Sequence, residues 1–202
     1  MAEESVVYVV EDDAAMRDAI LLLLRSAGFR ACGYPSAEAF LSSKAYCRPA
    51  CLLADVRLPG MDGLALHRHL ISLGVEPAVV MITGHGDIPM AVAALKAGAV
   101  DFVGKPFDPA VLLDSVRAAI RQADETWQRK TAAAEVQSRL NTLTPRETAI
   151  LEHLVEGHPN KVIAAKLGIS IRTTEHHRAH IMEKMGARTL SQLIKKALRR
   201  TD

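Results

Sequence analysis

No apolar run in this 202-residue chain approaches the roughly 20 residues that a membrane-spanning helix needs, so no membrane association is expected. The first ten residues hold two glutamates and no basic segment, which argues against a secretory leader. Cysteine is scarce: Cys32, Cys47 and Cys51 are an odd set without paired metal-ligand spacing. A disulfide scaffold and a cysteine-based zinc module are thereby excluded, and free thiols of a cytoplasmic protein are expected. Glycine and proline are missing from residues 120–141, so that stretch does not read as a flexible tether. Strand-like apolar runs are missing after residue 142, so the last third reads as all-helical.

Charge is unevenly spread. Residues 1–125 hold 11 Lys and Arg against 16 Asp and Glu, while the remainder holds 14 against 7. An acidic front and a basic back imply two domains with different partners, and a small basic module points first to nucleic acid.

Four apolar runs lie in the front part: Val6–Val10, Cys51–Ala54, Ala78–Ile82 and Ala99–Gly104. Helical stripes separate the later ones and follow the first: Asp13–Ala27, a short helix after Ser36, Leu64–Leu73, Ile88–Ala97, and a helix opened by Asp108-Pro109. Strand-helix alternation predicts an α/β, doubly wound, five-stranded parallel sheet in the order 2-1-3-4-5. The fifth helix is expected to run on into a helical linker. We expect a first domain over 1–122, the linker over 123–141, and an all-α four-helix domain over 142–202.

Each apolar run ends on a polar group. The first ends on Glu11-Asp12, the second on Asp55, the third on Thr83 and the fourth on Lys105-Pro106. In an open parallel sheet ligands bind beyond the carboxyl ends of the strands. Crowded carboxylates repel unless a cation sits among them. Glu11, Asp12 and Asp55 supply the hard oxygens that Mg²⁺ prefers, with Mn²⁺ as the alternative ion. The ion and Lys105 could neutralise a transferring phosphoryl group, Asp55 could attack it, and the Thr83 hydroxyl could bond one of its oxygens. A phosphatase that forms an aspartyl phosphate would use similar groups. Such enzymes often carry a second Asp two residues after the nucleophile, and here Arg57 stands there. Of the histidines, His67 and His69 read as solvated surface, and His85 lies in the loop after Thr83.

These residues reach a family. Val9-Val10-Glu11-Asp12-Asp13, Asp55 through Gly63, Ile82-Thr83-Gly84-His85-Gly86-Asp87 and Phe102-Val103-Gly104-Lys105-Pro106-Phe107 resemble the receiver domain of two-component response regulators. The 43-residue interval from Asp12 to Asp55 also fits. The resemblance implies Asp55 as the acceptor of a phosphoryl group from a sensor histidine kinase. It implies a metal held by Asp12, Asp55 and the Arg57 carbonyl, with Glu11 bound directly or through water. Thr83 and Phe102 would be the switch pair, and Lys105 the phosphate contact across a cis bond to Pro106. Glu11 departs from the usual Asp.

In the back part, Thr144-Pro145-Arg146-Glu147 predicts a helix start, and Asn160 is expected to cap a short helix over 161–167. Gly168-Ile169-Ser170 makes a turn before a helix from about Ile171 to Met185, and a last helix spans about 189–199. This pattern resembles a LuxR-type helix-turn-helix, so the whole chain resembles the FixJ/NarL class of transcription regulators. Periodicity puts Thr174, Ile181 and Met185 on the core face, and Arg172, Glu175, His176, Ala179 and Glu183 on the opposite one. Glu175, His176 and Ala179 are candidates to read base edges. Lys161, Arg172, Thr173, His177 and Arg178 complete the candidate DNA-binding set, with Lys161, Thr173, His177 and Arg178 as phosphate contacts. Thr174 stands where relatives usually have Val, and its hydroxyl is expected to bond back to a carbonyl of its own helix. Expected partners are a sensor histidine kinase, double-stranded operator DNA, RNA polymerase and, after phosphorylation, a second copy paired through the fourth helix and fifth strand. At most slow self-dephosphorylation is expected, not enzymatic turnover. A regulator acting through protein contacts alone is the remaining alternative.

Overall fold

A computed structural model describes residues 6–44, 50–84 and 88–198, and of residues 50 and 88–91 the backbone alone. Cys47 and His85 therefore lie outside the described residues. The chain divides into two compact units, Met1–Trp127 and Gln128–Asp202.

In the first unit, five strands alternate with helices: β1 Val6–Val10, α1 Ala14–Ser26, β2 Arg30–Tyr34, α2 Ala37–Ser43, β3 Ala50–Asp55, α3 Gly63–Ser72, β4 Ala78–Thr83, α4 Ile88–Lys96, β5 Asp101–Gly104, then α5 Pro109–Leu140. All neighbouring strands are parallel, in the order β2-β1-β3-β4-β5. The three central strands are continuous apolar runs because helices cover both faces of the sheet. On one face Val7, Val9, Leu53, Val80 and Ile82 pack against Ile20 and Leu24 of α1 and Leu112, Val116 and Ala119 of α5. On the other, Val10, Leu52, Ala54, Val79 and Met81 pack against Phe40 of α2, Leu66 and Leu70 of α3 and Ala94 of α4. β2 left no apolar run in the sequence. It is an edge strand that begins on exposed Arg30 and fully buries only Ala31.

Helix starts follow local chemistry. Asp13, Ser36 and Asp62 each accept a backbone N–H through the side chain as N-caps of α1, α2 and α3. Gly63 has a different task. A Cβ there would overlap the Asp55 carbonyl oxygen, so only glycine lets α3 begin against the end of β3. His67 is not the solvated residue expected. It is 2% exposed, because it lies one turn from both Leu64 and Leu70 on the buried stripe of α3. His69 is exposed, two residues on and facing away.

The second unit holds the end of α5 and four helices: α6 Pro145–Val155, α7 Asn160–Leu167, α8 Ile171–Lys184 and α9 Leu190–Leu198. Its core joins Val136 of α5, Ile150 and Leu154 of α6, Ile163 of α7, Ile181 and Met185 on and beyond α8, and Leu193 of α9. Thr144 and Glu147 form a reciprocal capping box at the start of α6. Asn160 does not cap α7. Pro159 holds the N-cap position without a side-chain bond, and Asn160 is the first helical residue, its Oδ1 accepting from Arg178 Nη1 at 3.3 Å. Gly168 closes α7 in the left-handed region at φ +65°, and Ser170 caps α8 through Thr173 N–H.

Glu147 also pins α8 to α6. Lys184 Nζ donates to Glu147 Oε2 at 2.6 Å. Burial alone would raise this carboxyl, but the Lys184 hydrogen bond and those from Thr144 overcome it and hold the group down to about 2, from an ordinary 4.5. A carboxyl lowered on folding contributes stability above its unfolded pKa and loses it as pH falls through the folded one. The contacts of Glu147 with Lys184 and Thr144 should therefore together lose about 3 kcal/mol of stabilisation of the second unit between about pH 4.5 and 2. Amide exchange at Ile150 and Ile181 reads that loss. In Glu147→Gln the fall over this window should be much shallower, with wild type and variant converging near pH 2; parallel curves would contradict the assignment.

Candidate functional site

Register brings the strand-end groups together. Val10 pairs with Ala54 across β1 and β3, so Glu11 and Asp55 emerge side by side at the switch point of the sheet. Asp55 pairs with Ile82, and Thr83 pairs with Gly104 immediately before Lys105. Lys105 Nζ then lies 2.7 Å from Glu11 Oε2 and 2.6 Å from Asp55 Oδ2. The Lys105 backbone N–H donates to the Thr83 carbonyl at 2.6 Å, and the Lys105–Pro106 bond is cis. Glu11 is 1% and Asp55 7% exposed, whereas Asp12 stands in solvent.

Burial pushes the Glu11 carboxyl above its usual range; the Lys105 hydrogen bond opposes this and the Asp55 charge adds to it. Burial opposes the Lys105 charge, but its bonds to Asp55 and Glu11 outweigh that and raise the ammonium. One oxygen from each of Glu11, Asp12 and Asp55 lies within 4.8 Å of the others. Three hard oxygens at that spacing, on a face open at Asp12, fit a small divalent ion that keeps several waters. The Arg57 backbone N–H donates to Asp55 Oδ1 at 2.8 Å, which folds the loop after β3 over the carboxylate. The Arg57 carbonyl belongs to that same loop.

Thr83 is 4% exposed, and its hydroxyl donates to the Gly84 carbonyl at 3.3 Å. Phe102 pairs with Met81, two residues before Thr83, so the pleat puts Phe102 and Thr83 on the same sheet face as α3 and α4. Phe102 is 39% exposed at the edge strand. Arg17 had no sequence signal. From α1 its Nη1 donates to the Glu11 carbonyl at 2.8 Å and reaches the Asp12 carbonyl at 3.4 Å, holding the acid pair's backbone in place. The site role of Gly63 was equally silent in the sequence.

In the second unit, α8 presents Arg172, Thr173, Glu175, His176 and Ala179 to solvent, with His177 and Arg178 half-buried at the edges. Thr174, Ile181 and Met185 are fully buried. The Thr174 hydroxyl donates to the Ser170 carbonyl at 3.1 Å, as its burial requires. Lys161 is exposed on α7. His180 escaped notice in the sequence; its ring lies 4.2 Å from that of His176, one turn earlier on the exposed face.

A sheet that gathers carboxylates and an amine at one crevice, on one chain with a helix-turn-helix, defines a DNA-binding response regulator. Residues 7–117 match the response regulator receiver domain, and residues 141–197 match the bacterial regulatory proteins of the luxR family. The chain belongs to the response-regulator family, among the FixJ-type transcriptional regulators. It is 43% identical over 198 residues to the transcriptional regulatory protein FixJ of Azorhizobium caulinodans, covering 98% of this chain and 94% of that one. A low-resolution structure of the response regulator StyR superposes with a TM-score of 0.90 at 37% identity, covering 97% of this chain and 99% of that one. Full-length FixJ from B. japonicum gives 0.60 at 41% identity, covering 97% of both chains. The phosphatase alternative is not favoured by any of these likenesses. A receiver domain implies a sensor kinase as partner, and a LuxR-type helix-turn-helix implies DNA. Among the described residues no helix is long and apolar enough to cross a membrane.

Lys105 compensates two buried carboxylates, so its loss should be costly. Lys105→Ala should destabilise the first unit by about 1–3 kcal/mol at pH 7 without divalent ions, less than for a fully buried pair because water reaches the site. Urea unfolding in EDTA checks this. A stability equal to wild type would mean that the two carboxylates are not coupled through Lys105.

Proposed function

We propose that Asp55 accepts the phosphoryl group through which a sensor histidine kinase controls this regulator. The observation that carries the reading is Lys105 bridging Glu11 and Asp55 at 2.7 and 2.6 Å. An Asp55 oxygen attacks phosphorus, the phosphorus–nitrogen bond to the kinase imidazole breaks, and that imidazole leaves with the electron pair and gains a proton. Glu11, Asp12, Asp55 and the Arg57 carbonyl would hold Mg²⁺, or Mn²⁺ in its place. When bound, the ion supplies charge neutralisation for the phosphoryl oxygens. Lys105 supplies the same at the Asp55 side, and the Arg57 N–H orients the carboxylate. Hydrolysis of the acyl phosphate would be slow, since Arg57 stands where a second carboxylate could take a proton from the attacking water.

Phosphorylation adds negative charge and acceptor oxygens at Asp55. The Thr83 hydroxyl, which makes a long 3.3 Å bond to the Gly84 carbonyl, would turn to the phosphoryl group, and half-exposed Phe102 would follow on the same face. The surface of α4 and β5 would then pair two copies on a two-fold operator in the cytoplasm, where RNA polymerase is the expected further partner. On DNA, Lys161, Thr173, His177 and Arg178 would position the domain, and Glu175, His176 and Ala179 would read bases, with Arg172 alongside.

An acyl-phosphate donor with Mg²⁺ should add one phosphoryl group per chain to wild type and none to Asp55→Asn, as intact mass shows. Full labelling of Asp55→Asn would point to a different acceptor. DNA contacts should separate by type. Lys161→Ala and Arg178→Ala should weaken binding to all sequences and lower the salt slope by about one. His176→Val should change the preferred operator, with a cost of about 1–3 kcal/mol at one base pair. Selection from random DNA that returns identical base weights for wild type and His176→Val would remove His176 from base reading.

A further inference from the structure

The C-terminus of α6 carries an arrangement that neither phosphoryl transfer nor DNA reading uses. Helix α6 ends at Val155 with Glu156 as its C-cap, and Gly157 follows at φ +82°. The Gly157 N–H donates to the Leu154 carbonyl at 3.1 Å and the His158 N–H to the His153 carbonyl at 3.0 Å. This is a Schellman closure, in which the residues at the two ends of the outer bond usually make an apolar contact. Here both are histidines. Their rings meet edge to face, with centroids 5.4 Å apart.

The closure brings three ligand atoms close together. His153 Nδ1 lies 3.0 Å and His158 Nδ1 3.1 Å from the same oxygen, Oε2 of Glu156. All three atoms lie within 4.8 Å of one another. A tetrahedral zinc ion with bonds of about 2.0–2.1 Å separates its ligand atoms by about 3.3 Å. The set is therefore within a few tenths of an ångström of that spacing on two of its edges. His158 Nδ1 is shut off from solvent and, despite its short distance to Glu156, makes no aligned hydrogen bond.

We propose that His153, Glu156 and His158 bind a Zn²⁺-class ion, with two imidazole nitrogens, one carboxylate oxygen and an open position for water or a fourth ligand. Imidazole with carboxylate suits zinc and its neighbours rather than Mg²⁺ or Ca²⁺, which prefer all-oxygen sets. One neighbour opposes the ion. Lys166 Nζ, on α7, lies 3.1 Å from His158 Nε2. Lysine can only donate there, so His158 carries its proton on Nδ1. Binding at Nδ1 moves that proton to Nε2 and displaces the exposed Lys166 side chain. The ion would then fix the corner between α6 and α7, next to the helix-turn-helix.

Calorimetric titration of Zn²⁺ into the full chain tests this, with excess Mg²⁺ present to occupy the acidic cluster at Asp55. Wild type should show one saturable ion per chain. The affinity should fall about tenfold or more in Glu156→Gln and in His153→Gln/His158→Gln. It should be retained in His176→Gln/His180→Gln, which removes the other close histidine pair, and should rise in Lys166→Met. Glu156 is exposed, so Glu156→Gln tests the ligand without disturbing the core. Undiminished binding in Glu156→Gln and in the His153/His158 variant, or the absence of any saturable binding below about 100 µM, would overturn the proposal.

Discussion

One ammonium between two buried carboxylates sets the character of the first unit. Lys105 reaches Glu11 and Asp55 from a third strand end, and each pair lies at hydrogen-bond distance. At an effective dielectric near 20, unit charges 4 Å apart interact by about 4 kcal/mol, so carboxylates crowded in this way repel strongly and a cation between them relieves that cost. The desolvation that raises Glu11 and opposes Lys105 is the same physical fact seen from two residues. A site balanced in this way responds strongly when a further charge is added to it. That is the property a phosphorylation switch needs.

The rest of the unit is the means of holding that balance. Continuous apolar strands buried on both faces put their carboxyl ends at one crevice, and the order of the strands puts Glu11 beside Asp55. Gly63 lets α3 begin against Asp55 without a steric conflict, and Arg17 ties down the backbone of the acid pair. The polar groups at the crevice stabilise function at the expense of stability, while the two apolar clusters on either face supply the surplus.

Much of this was legible in the residues. Buried strands announce themselves as unbroken apolar runs, and capping chemistry marks helix starts, so β1, β3, β4, Ser36 and Thr144 could be placed from the sequence. The grouping of Glu11, Asp12, Asp55 and Lys105 followed from strand ends alone. The rest depended on tertiary neighbours. β2 is an edge strand without an apolar run, His67 is buried only because α3 turns it inward, and Arg17 reaches its carbonyls through space. Asn160 was read as a cap because of its residue type, yet Pro159 precedes it at the N-cap and its side chain accepts from Arg178 instead. The core and exposed faces of α8 were readable by period, down to the bond from Thr174 back to Ser170. The donors gathered at His153, Glu156 and His158 needed the closure geometry to become visible.

Charge added at Asp55 should alter how the chain assembles and binds DNA. Beryllofluoride occupies an aspartyl site as an acyl-phosphate mimic, so sedimentation of the full chain with and without it, on operator DNA and alone, tests the claim most directly. Wild type should change from one copy to two and occupy a two-fold site at lower protein concentration, while Asp55→Asn should do neither. Identical sedimentation and DNA occupancy with and without the mimic, in a protein shown to have bound it, would contradict the switch.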